Sequence, residues 1–66
     1  MKLVVAGIDL GGTNVKTAIV GRNGALIVKD SRPTEAEDGL DTVLDNMSAS
    51  LEAAMEEAKA DPSDLV

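Results

Sequence analysis

The chain contains no cysteine, no histidine and no aromatic residue of any kind. Without cysteine it has no disulfides, which is compatible with the cytoplasm and argues against a disulfide-built secreted domain. Without cysteine or histidine a zinc site of the usual ligand type is excluded. Without Phe, Tyr or Trp the core is limited to aliphatic residues and Met, and the large anchors that dominate small cores are lost. No apolar run approaches the roughly 20 residues needed to span a bilayer, so no membrane partner is expected. The segment Lys2-Leu3-Val4-Val5-Ala6 is also too short for the core of a signal peptide.

These absences matter more because the chain has only 66 residues. A domain of that size buries only about 60% of its unfolded surface. Ordering its backbone costs roughly 1–2 kcal/mol per residue, which leaves a marginal net stability. Small domains commonly add disulfides or a structural metal, and neither is offered here. A partner, or further chain, is therefore expected to complete the unit.

Charge is unevenly distributed. The net charge is −6, with five basic and two acidic side chains in residues 1–33 and one basic against ten acidic in residues 34–66. An acidic second half repels nucleic acid, and none is expected as a partner. Its simplest reading is a solvated helix face.

Residues 3–9 are nearly all apolar, as expected of a strand covered on both faces. Residues 15–20 and 25–29 form two more β-prone runs, with Arg22-Asn23-Gly24 between them. Asn-Gly is a strong hairpin signal because both residues tolerate positive φ. Residues 2–32 therefore read as a three-stranded antiparallel meander, with strands at about 2–9, 14–21 and 25–32, ended by Pro33. Beyond Asp38 the period changes. Leu40, Val43, Leu44, Met47, Leu51, Ala54, Met55 and Ala58 recur at helical spacing, and acidic residues fill the other positions. This predicts one amphipathic helix over about 39–60, capped by Asp38 and stopped by Asp61-Pro62. Met47 and Met55 fall on its apolar stripe as core filler. The tail Ser63-Asp64-Leu65-Val66 reads as a loop and the first residues of a fourth strand, parallel to the first and reached through the helix as crossover.

The run Gly7-Ile8-Asp9-Leu10-Gly11-Gly12-Thr13-Asn14 carries the chemistry. Gly11 and Gly12 lack Cβ atoms, so the backbone can take positive φ and let phosphate oxygens approach. Successive N–H groups in such a turn form an anion-binding nest. Thr13 adds a hydroxyl, and Asn14 an amide that fixes the loop or reaches a nucleotide. Asp9 is a hard oxygen ligand suited to Mg2+ through water. Each has a plainer alternative: a hairpin turn for the glycines, a turn cap for Asp9, a turn residue for Asn14, a solvated strand lysine for Lys16.

With Ile8-Asp9-Leu10-Gly11-Gly12-Thr13-Asn14-Val15-Lys16-Thr17-Ala18, a hairpin, a third strand and a long helix, the chain resembles the N-terminus of sugar kinases of the repressor–ORF–kinase (ROK) family. These are glucokinase-like members of the actin-like ATPase superfamily. The resemblance covers the whole chain. It implies an α/β fold, the first half of a ribonuclease H-like domain, in which 1–66 form a partial N-terminal ATPase-like unit. It further implies that Gly11, Gly12, Thr13, Asn14 and Lys16 contact the phosphates of ATP, with Asp9 at its Mg2+. The family's catalytic-base Asp lies in a downstream sugar-binding motif, often beside a His- and Cys-rich zinc site. Neither motif occurs here, so no catalytic residue is assigned.

Three functions follow as expectations. The first is the N-terminal piece of an ATP-dependent hexose kinase, not catalytic alone, whose intact form takes nucleotide and hexose. The second is a small association module that pairs through the edge of the first strand or the helix stripe, and so is not a stable monomer. The third is a fragment of a ROK-type sugar-responsive regulator. Family repressors carry a DNA-binding winged helix before the first strand, and Met1 directly against that strand argues against this third branch.

Overall fold

The computed structural model describes residues 3–66. Strand β1 spans Val4–Leu10, β2 spans Asn14–Gly21 and β3 spans Leu26–Pro33, followed by helix α1 over Leu40–Glu57. The strands form one antiparallel sheet in the order β1-β2-β3. This is the expected meander followed by one helix, a mixed α/β arrangement. The start of the first strand expected at residue 2 lies outside the described residues.

The hairpin between β2 and β3 forms where Asn23-Gly24 predicts it, by a different turn. Gly24 N–H donates to Gly21 O at 2.9 Å and Gly21 N–H to Ala25 O at 2.8 Å. Only Gly24 takes positive φ, at 84°. Asn23 stays out of the left-handed region and instead accepts a hydrogen bond from Ala25 N–H on Oδ1 at 3.0 Å. A three-residue loop closed by one left-handed glycine lets the turn match the strand twist without a second positive φ.

Helix α1 starts one residue later than expected and ends three earlier. Its 18 residues run about 27 Å at 1.5 Å per residue. Asp38 does not cap it: Asp38 sits in a 3-10 turn over Ala36–Asp38, and the cap position is Gly39 at φ 100° and ψ 169°. That backbone geometry is essentially restricted to glycine, so the chain reverses there through backbone freedom and not a side-chain acceptor. The far end is closed before Asp61-Pro62. Lys59 turns left-handed at φ 56°, its N–H donates to Glu56 O, and Ala60 N–H donates to Met55 O, both at 3.0 Å. This is a double-bonded helix stop with Lys where glycine is usual.

Opposed residues of an antiparallel pair share a face. Val15, Thr17 and Ile19 of β2 point under α1 and are buried, whereas Asn14 and Lys16 lie on the open face and are exposed. Val4, Ile19, Ala54, Met55 and Ala58 make the apolar core, with Ala6, Val28, Leu51 and Ala60 packed on it. The helix lies chiefly over β2 and β3. β1 is consequently not the doubly covered strand its composition predicts: Val5 is 50% exposed, Ile8 40% and Leu10 51%. On the helix stripe, Leu40 and Leu44 are also exposed, and Met47 is only half-buried. The Cα radius of gyration of 12.1 Å exceeds the about 11 Å of a compact domain of this length, as one helix laid on one face of a sheet requires.

The tail behaves as its sequence predicts. A 3-10 turn over Pro62–Asp64 delivers Leu65 beside Val4 in a parallel bridge, and Val66 N–H donates to Val4 O at 3.0 Å. The path from β3 through α1 to this bridge is a crossover to the outer side of β1. Among the described residues no helix is long and apolar enough to cross a membrane.

Candidate functional site

The turn joining β1 to β2 is built by tying down its carbonyls. Gly11 N–H donates to Asn14 O at 2.9 Å, which closes the hairpin. Thr34, just beyond β3, donates its hydroxyl to Gly11 O at 2.7 Å and its N–H to Thr13 O at 2.9 Å. Thr34 is itself buried and is held by α1, because Asn46 Nδ2 donates to Thr34 O at 2.9 Å and to Glu35 Oε1 at 3.0 Å. The N–H groups of Gly12 and Thr13 have no hydrogen-bond partner among the described residues. Thr34 thus takes up Gly11 O and Thr13 O, and two successive N–H groups of the same turn are left over, the donor type from which anion-binding turns are built.

The glycines serve this loop differently from the expectation. Neither Gly11 nor Gly12 adopts positive φ; the described glycines that do are Gly24 and Gly39. At Gly11 the constraint is closeness, since an added Cβ would lie 3.1 Å from Asn14 O. At Gly12 an added Cβ would meet nothing within 4 Å, so the space beyond it is open.

Asp9 and Lys16 are register partners between β1 and β2, and Lys16 is in turn opposite Ser31 of β3. Gly7, Ala18 and Lys29 form the adjacent row. The two rows line a concavity of about 520 Å³ on the open sheet face, with small Gly7 and Ala18 between the charged side chains. Asp9 and Lys16 are thus cross-strand neighbours, both exposed, and among the described residues no ion pair joins them. Gly11, Gly12, Thr13 and Asn14 do not line that concavity. Asn14 shares its face, two residues along the strand from Lys16, roughly 7 Å away at 3.4 Å per residue. Lys29 and Ser31 escape the sequence reading. The alternation along β3 carries the signal, but only the register shows which residues stand beside Lys16.

Among the described residues no group of three His, Cys, Asp or Glu side chains gathers. Asp9 therefore has no pair of carboxylates beside it to complete an all-protein cage of the calcium type.

A second polar cluster lies on the opposite face, under the helix. Ser50 Oγ donates to Asp30 Oδ2 at 2.8 Å, and Thr17 Oγ1 lies 2.7 Å from Ser50 Oγ. Because Ser50 spends its proton on the carboxylate, Thr17 is the donor between the two hydroxyls. Arg32 grips Asp30 with two bonds, Nε at 3.0 Å and Nη2 at 3.2 Å. The Arg32 guanidinium, and after it the Ser50 hydroxyl, hold the Asp30 carboxyl below its usual range. The cluster joins β2, β3 and α1 and faces away from the loop. Its role is structural: it satisfies two hydroxyls that the helix buries.

Comparison of the chain with protein-family models, with curated proteins and with solved structures finds no match in any of the three.

Proposed function

We propose that the loop of residues 9–14 binds the phosphates of a magnesium nucleotide, and that this chain is the N-terminal part of an ATP-dependent hexose kinase of the ROK type, with a ribonuclease H-like fold. The observation that carries the reading is the pair of unpartnered N–H groups at Gly12 and Thr13, in a loop whose carbonyls Thr34 ties down. Such donors act on an anion without first being released from protein partners, so little reorganisation is needed.

The residues divide the work by position. Gly12 and Thr13 donate backbone N–H groups, the Thr13 hydroxyl adds a third donor, and the open space beyond Gly12 admits phosphate oxygens. Asn14 and Lys16, on the open face, extend the donor row along β2. Asp9 holds the ion's water shell beside Lys16. The nucleotide and its ion supply the transferable phosphoryl group and charge neutralisation, and catalysis of this kind is chiefly positioning. No residue of this chain is assigned as catalytic base, so the fragment binds and orients without turning over. The bridge at Val4 agrees with a sheet that continues past β1, as the resemblance implies.

The test is a titration of the isotope-labelled chain with ATP into the millimolar range, followed by amide NMR with and without Mg2+. Shifts concentrated at Gly12 and Thr13, reduced by EDTA and by Thr13→Ala, are expected. Amides that stay fixed at saturating magnesium nucleotide, or move equally without the metal, refute the assignment. The open edge of β1 favours a second reading, an association module, which the same titration separates because such a module needs no nucleotide.

A further inference from the structure

The peptide unit joining Gly11 to Gly12 carries one held group and one free one. Its carbonyl oxygen, Gly11 O, accepts the Thr34 hydroxyl at 2.7 Å, while its N–H, on Gly12, has no partner among the described residues. A trans peptide is planar, with C=O and N–H pointing in opposite directions, and no cis bond occurs in the described chain. Fixing the oxygen therefore fixes the line along which the Gly12 N–H points. Thr34 N–H also holds Thr13 O at 2.9 Å. Thr34 thus grips the peptide units on both sides of the one that carries the Thr13 N–H.

Thr34 is placed in turn by helix α1. Asn46 Nδ2 donates to Thr34 O at 2.9 Å and to Glu35 Oε1 at 3.0 Å. Glu35 is left-handed at φ 58° and Gly39 follows at φ 100°, so the connection from β3 to α1 contains two positive-φ residues. A non-glycine residue keeps such a conformation only where its surroundings hold it, and the bond from Asn46 supplies that hold. Asn46 and Ser50 lie one turn apart on the same face of α1. Ser50 fastens the second half of the helix to Asp30 at 2.8 Å, and the other buried helix residues, Ala54 and Met55, lie further along. In the first half Leu40 is 71% exposed and Leu44 49%, while Val43, Asn46 and Met47 are half-buried. With so little apolar cover there, the two Asn46 bonds carry much of that half's attachment.

We infer that Asn46 is a positioning residue for the loop: acting through Thr34, it sets the aim of the Gly12 N–H donor, so that anion binding at the loop and docking of the first half of α1 favour each other. The inference rests on the reading of this loop as the nucleotide-phosphate site. An anion on the Gly12 N–H polarises that peptide and makes Gly11 O a better acceptor for the Thr34 hydroxyl. A firmer Thr34 holds its own carbonyl toward Asn46. In the other direction, α1 docked through Asn46 restricts Thr34 before the anion arrives, so less order has to be gained on binding. Coupling of this kind is reciprocal: the factor that Asn46 adds to anion affinity is the factor that the anion adds to helix docking.

The test compares amide spectra of the whole isotope-labelled chain carrying Asn46→Ala or Thr42→Ala. Ala forms helix better than Asn and adds no charge, so a response at the loop is not owed to a weakened helix. Thr42, whose hydroxyl donates to Asp38 O at 3.3 Å, is the control at the same end of α1. In the free chain Asn46→Ala should move the Gly12 and Thr13 resonances, and Thr42→Ala should leave them in place. With magnesium ATP as probe, Asn46→Ala should weaken binding roughly three- to tenfold, the worth of one hydrogen bond. In the unaltered chain the nucleotide should slow amide exchange at Val43 to Met47 by a factor of similar size. The inference is overturned by resonances that Asn46→Ala leaves unmoved, by an equal shift from Thr42→Ala, or by nucleotide binding as tight in Asn46→Ala as in the unaltered chain. If the unaltered chain binds no nucleotide, the phosphate reading fails instead, and the free-chain comparison still decides whether Asn46 aims the loop. Should Asn46→Ala fail to fold, Asn46→Asp replaces it in the free chain, keeping the shape while its carboxylate donates nothing to Thr34 O.

Discussion

Replacing Ser50 with Ala should come close to unfolding this protein, and removing its neighbour's hydroxyl as well should partly rescue it. Ser50 is fully buried and Thr17 is 1% exposed, so water does not replace a lost partner at either. Ser50→Ala removes the bond to the Asp30 carboxylate, a charged acceptor, at about 1.5–3 kcal/mol, and leaves the Thr17 hydroxyl buried without an acceptor at about 1–3 kcal/mol. With partial relaxation the sum is about 2–4 kcal/mol. Total stability at roughly 0.05–0.15 kcal/mol per residue amounts to only about 3–10 kcal/mol for 66 residues. Thr17→Val added to Ser50→Ala removes the stranded hydroxyl with nearly the same shape. The remaining cost is the bond lost by Asp30, which Arg32 still holds. The double variant should then be about 1 kcal/mol more stable than Ser50→Ala. With no aromatic residue there is no intrinsic fluorescence to follow, so urea unfolding is read by far-UV circular dichroism. A double variant no more stable than Ser50→Ala would refute the reasoning, because the buried hydroxyl would then carry no penalty.

Three further outcomes follow from the same geometry. Asp30 is held ionised by Arg32 and Ser50, so its folded value lies below the unfolded one of about 3.9; the stability it gives is present above that value and is lost as pH falls below about 4. Arg32→Gln should therefore flatten the acid limb of an unfolding-versus-pH profile, and an unchanged limb would count against it. Gly39→Ala should cost about 1–3 kcal/mol at φ 100°, whereas Lys59→Gly at φ 56° should gain about 0.5–1 kcal/mol, both read as shifts in the urea midpoint. Thr34→Val should cost about 1 kcal/mol by stranding Gly11 O, and should move the Gly12 and Thr13 amide resonances with it. Unmoved resonances would mean that Thr34 does not shape the loop.

The two periodicities were legible in the chain itself. Strand boundaries at 14–21, the Asn23-Gly24 hairpin and a single acidic-faced helix all depend on local spacing and turn chemistry. Local patterns of that kind survive whatever packs on them. The loop was legible as a turn joining two strands, because Gly-Gly stands between two β-prone runs. What escaped was everything set by contacts distant in sequence. Thr34 lies more than twenty residues from the Gly11 carbonyl it holds, and no period announces that bond. Lys29 and Ser31 stand beside Lys16 only through the register of β2 with β3. Asp38 looked like a cap because caps are read from residue type, yet the backbone at Gly39 had already made the turn.

Composition therefore determined an aliphatic core, and the spacing of residues along the chain determined a meander, one long helix and a Gly-Gly turn joining the first two strands. Tertiary structure decided which apolar residues are covered. Val4 and Val5 are identical side chains side by side in β1, and one is 2% exposed while the other is 50% exposed. The difference comes from the pleat, which points one beneath α1 and the other into the open face. Hydrophobic character sets how much a residue gains from burial, but only the placement of the helix over β2 and β3 sets which of them obtain it.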